Sequence, residues 1–103
     1  MAVSSELVDT ILARTREGKL TWEELSLTGF LVRVGQTMII IDRSRGGQIT
    51  LRITDEAGKT IEAVDQQPFI GDQPLTEIYE LARRQVLKVD ETLSDLKRKL
   101  DTL

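Results

Sequence analysis

Residues 30–43, FLVRVGQTMIIIDR, decide the fold class of this chain. Two apolar, β-branched runs flank Gly35-Gln36, a Gly-X pair that closes a two-residue type II′ hairpin turn. The turn sets Val34 opposite Thr37, Val32 opposite Ile39 and Phe30 opposite Ile41. One face is then apolar, and the other carries Leu31, Arg33, Met38, Ile40 and Asp42.

Working outward, Arg43-Ser44-Arg45-Gly46-Gly47 returns the chain. With Asp42 opposite Gln48, Ile49, Leu51 and Ile53 fall beside Ile41, Ile39 and Thr37. A third turn, Asp55 to Lys59, carries Gly58 where a three-residue loop needs a left-handed residue, and sets Ile53 opposite Ile61 and Leu51 opposite Ala63. The three turns agree on one apolar face, which predicts a four-stranded antiparallel meander ending at Val64. In this register the reverse face holds Leu31, Met38, Ile40 and Val64, with Arg52 across from Glu62. These four apolar residues are a candidate partner face, unless a helix of the same chain covers them.

Before the meander, Ser4 or Ser5 caps an apolar stripe of Leu7, Val8, Ile11 and Leu12, predicting a helix that stops near Glu17, with Gly18 as the left-handed residue just past its end. Residues 19–25 read equally as a short strand or a helical turn. Trp22 is expected to lid the core with its N–H at the surface. After the meander comes a connector, 65–73, whose Phe69 and Ile70 are expected to anchor it. From Pro74 onward a single helix about 45 Å long is predicted. Leu75, Tyr79, Ala82, Val86, Val89, Leu93, Leu96, Leu100 and Leu103 alternate at spacings of four and three, a coiled-coil seam. A six-residue strand spans only about 20 Å, so the helix should overhang its sheet. Its far half must pair with the N-terminal helix or with a second chain, and a homodimer is the expectation. The architecture is therefore α+β, an N-terminal helix, four strands and one long C-terminal helix in a single domain over 1–103.

Composition narrows the chemistry. With no Cys and no His among 103 residues, disulfides, thiolate nucleophiles, imidazole catalysis and nearly every zinc site are removed. The acidic pairs Glu23-Glu24, Asp55-Glu56 and Asp90-Glu91 read as solvated surface, and Asp65–Asp72 lacks the pattern of a calcium loop. No catalytic residue, metal or cofactor is expected. No apolar run approaches membrane-spanning length, and the start MAVSSELVD has no signal-peptide pattern, so a cytoplasmic protein is expected. Residues 43–54 carry Arg43, Arg45 and Arg52 and no acid. Arg43, Arg45, Gly46 and Gly47 therefore form a candidate anion-binding turn. A net charge of −3 and 4% aromatic residues argue against nucleic acid as a partner, although a dimer would hold two Arg turns in fixed symmetry. The reading is a small, non-enzymatic, dimerising interaction module of bacterial type. A sensor of small anions or nucleotides is the alternative, and a nucleic-acid-associated dimer the third reading.

Overall fold

The computed structural model describes residues 5–66 and 74–103. In chain order the elements are α1 (Ser5–Arg16), β1 (Glu23–Ser26), β2 (Gly29–Val34), β3 (Thr37–Arg43), β4 (Ile49–Asp55), β5 (Thr60–Gln66), α2 (Pro74–Leu87) and α3 (Val89–Asp101). The protein is α+β, with five strands rather than four and two C-terminal helices rather than one. Strand order follows chain order, every pair antiparallel. The added strand settles residues 19–25: β1 is a short edge strand whose Glu23 faces Leu31. The expected anchors Phe69 and Ile70 lie outside the described residues.

The first hairpin forms in the anticipated register, from Val34 opposite Thr37 to Phe30 opposite Ile41. Gly35 takes φ +63° while Gln36 keeps a negative φ, as a type II′ turn requires. The second hairpin is displaced by two residues. Ser44 N–H donates to Gln48 O at 2.8 Å and Gly47 N–H to Ser44 O at 3.0 Å, so the loop contains three residues, and Ile41 faces Leu51 and Ile39 faces Ile53. Because side chains alternate with period two, a two-residue slip leaves the inward set unchanged.

The third turn forms around Gly58 as expected, with the Asp55 carboxylate accepting from the Ala57 and Lys59 N–H groups. Immediately afterwards the register shifts: Thr54 faces Thr60, but Ile53 faces Glu62. Ile61 is the additional residue of a β-bulge, and a one-residue bulge exchanges the faces of everything beyond it. Ile61 is consequently exposed, and Val64 stands opposite Leu51 and packs on the core. Arg52 pairs with Ala63, not Glu62.

α1 and α2 lie side by side across the apolar face. Val8, Ile11 and Leu12 from α1 and Leu75, Ile78, Tyr79 and Ala82 from α2 close over Phe30, Val32, Ile39, Ile41, Ile49 and Leu51. Ile41, Leu51 and Ile78 lose all contact with solvent, each worth roughly 1.5–3 kcal/mol of transfer free energy. Arg16 grips Glu77 through two hydrogen bonds of 2.5 and 2.6 Å, tying the two helices at the rim. Trp22 is buried, and its indole N–H points inward to Thr15 Oγ1 at 3.3 Å, correcting the surface-facing expectation. Thr15 in turn donates to Ile11 O, so the hydroxyl accepts and donates at once.

Candidate functional site

The predicted 30-residue helix is broken at Lys88, which adopts φ 52°, ψ 46°. A left-handed conformation is costly for a residue with a Cβ, by about 1–2 kcal/mol, and it redirects the chain. The break divides the seam into halves with different fates. Leu75, Tyr79 and Ala82 are buried in the domain's own core, and Val86 packs against it. Tyr79 sets its ring against Phe30, with centroids 5.5 Å apart and planes tilted by 57°. None of these three can therefore serve in an interface.

Beyond the break, α3 contains no buried residue. Leu93, Leu96 and Leu100 are 55%, 50% and 56% exposed, Leu103 is nearly fully exposed, and Val89 is half-buried. The helix makes extensive contact with no described element except α2 at their junction. The molecule is elongated, 56 Å long and 32 × 25 Å across. α1 does not pair with it, because α1 is already packed on α2. Around the apolar stripe the charges are ordered, with Asp90, Glu91 and Asp95 toward the N-terminus and Lys97, Arg98 and Lys99 toward the C-terminus, before Asp101 ends the helix. The described ion pairs of α3 are exposed: Arg84–Asp90 at 3.2 Å across the break, Lys97–Asp101 at 2.9 Å, and Arg98–Asp95.

The outer sheet face is not an open apolar surface. Leu31 and Ile40 are buried there, apart from the helix-covered core, and Met38 is half-buried. Val64 belongs to the opposite face, so the four residues do not form one patch.

The arginine turn borders a depression of about 650 Å³ lined by Thr28, Asp42, Arg43, Ser44, Arg45 and Tyr79. Arg43 and Arg45 form no ion pair with a carboxylate among the described residues. Of the two glycines assigned to the anion-binding turn, Gly47 donates its N–H to Ser44 O within the turn, and Gly46 does not line the depression. Asp42 adds a carboxylate to the wall, accepting from Thr28 Oγ1 at 2.9 Å and from the Arg43 N–H at 2.7 Å. Burial pushes the Tyr79 phenol upward, opposed by nearby Arg43, so it stays protonated and able to donate. Among the described residues no group of three acidic side chains could hold a metal ion, and no helix is long and apolar enough to cross a membrane.

Two features were missed by sequence reasoning. Gln85 reaches from α2 to the 19–22 connector, accepting from Trp22 N–H and donating to Leu20 O at 3.1 Å. Nothing in a lone Gln announces such a bridge. The break at Lys88 did leave a signal: Arg83, Arg84 and Lys88 followed at once by Asp90 and Glu91 is the charge order of one helix ending and another beginning.

Compared with known proteins, the chain matches no family model, and no curated protein or solved structure matches it either.

Proposed function

We propose that this protein is a small, non-enzymatic interaction module that associates with itself through α3. One observation carries the reading: a 13-residue helix with a leucine stripe projects from an otherwise well-packed domain and buries none of it. Isolated helices of that length are marginal in water, so a stripe of this kind gains its stability from a surface that covers it. The test is sedimentation equilibrium across a hundredfold concentration range. Self-association predicts a monomer–dimer equilibrium that Leu96→Glu abolishes; a strict monomer at all concentrations would sink the proposal.

A second reading, binding of a small anion at Arg43 and Arg45, is favoured by their shared depression with the protonated Tyr79 hydroxyl. Thermal shift against phosphate and nucleotides tests it. Stabilisation absent from the Arg43→Ala/Arg45→Ala variant supports the site, and equal stabilisation of both proteins removes it.

A further inference from the structure

The charge order on α3 specifies how two copies would meet. Resting on the self-association proposed above, we infer that the α3 helices pair antiparallel as a two-fold dimer, with Asp90 of each copy against Lys97 of the other.

Asp90 follows the stripe residue Val89, and Lys97 follows Leu96 exactly one heptad later, so both lie on the same flank of the stripe. Antiparallel helices bring equal flanks together running in opposite directions. When Leu93 of one copy faces Leu96 of the other, Val89 faces Leu100, and two-fold symmetry gives four apolar layers. In that alignment Asp90 lies beside Lys97 of the second copy, twice. On the other flank Thr92 lies beside Lys99, with no like-charge contact. Parallel pairing instead matches unlike flanks: Thr92 meets Lys97 and Asp90 meets Gln85, without one opposite-charge pair. It also gathers the basic residues 97–99 of both chains at one level and the acids 90–91 at another.

The acid-to-base gradient also suits α3's own macrodipole, but the macrodipole does not require an acid and a base on the same flank, seven residues apart. Asp90 and Lys97 now pair within the chain with Arg84 and Asp101. Those contacts are solvent-exposed and weak, so re-pairing across a dimer costs little. Four layers are a small interface, near the lower bound of about 1,000 Å² for specific association, so a readily reversible dimer is expected.

Charge exchange in the full chain tests the orientation. Asp90→Lys alone and Lys97→Glu alone should each weaken dimerisation on the order of tenfold, measured by sedimentation. The double variant should restore it, because residue 90 of one copy again meets an opposite charge at 97 of the other; within one helix the two are a heptad apart. Since the chain has no Cys, a spin label on Ser94→Cys or Thr102→Cys reads the geometry independently. Antiparallel pairing places the Ser94 labels at one level and the Thr102 labels about 22 Å apart along the axis, at 1.5 Å per residue. A dimer whose Thr102 labels lie at one level, without rescue in the double variant, would overturn the orientation while leaving self-association intact. Loss of any dimer in the wild-type chain would overturn both.

Discussion

α2 and α3 share one apolar periodicity and use it in opposite ways. In α2 the stripe is broadened by Ile78 and Leu81, which together with Leu75, Tyr79 and Ala82 give a face wide enough to cover a sheet. In α3 the apolar set narrows to a two-per-heptad seam, and no described element beyond the α2 junction covers it. The lesson is that a seam reports periodicity alone. The width of the apolar face, and where the backbone turns, decide whether it is buried in the fold or left exposed.

Substitutions can break or sharpen this contrast. The largest effect is expected from Ile78→Ala, which empties a fully buried site and should cost about 2–5 kcal/mol by urea denaturation. Leu93→Ala on α3 should cost the dilute protein less than about 1 kcal/mol, and equal losses at the two positions would erase the distinction. Gln85→Ala removes the partner of the Trp22 N–H and the donor to Leu20 O, so a loss of about 1–3 kcal/mol is expected. Lys88→Gly should relieve the left-handed conformation and raise stability by up to about 1 kcal/mol; a decrease would mean that the break is not intrinsic to the monomer. The smallest effect concerns Glu77. Its carboxyl is held below the ordinary value of 4.5, chiefly by the hydrogen bond from Arg16, with burial opposing. A depressed acid stabilises the fold above its ordinary value and loses that contribution as pH falls through the folded one. The stability difference between wild type and Glu77→Gln should therefore be present at neutral pH and fade in acid.

Much of the fold was legible in the residues. The Gly35-Gln36 turn imposed its hairpin, and the inward set of β4 survived a displaced register because a two-residue slip preserves the face. β5 was legible as a strand but not in its register, since the bulge at Ile61 depends on how the ladder closes after a correctly read turn, and that single residue moved Val64 from the supposed partner face to the core. The helix break went unread because neither Gly nor Pro marks Lys88. For the candidate site, Leu93, Leu96 and Leu100 were visible as a stripe, but their exposure could emerge only once α1 was seen to pack on α2.

Amide hydrogen exchange of α2 and α3, followed at two protein concentrations a hundredfold apart, tests the central claim most directly. The account predicts that α2 amides are strongly protected at both, whereas protection of residues 92–101 rises with concentration. Protection of α3 that is the same at both concentrations would contradict it, because the leucine stripe would then be indifferent to a second copy.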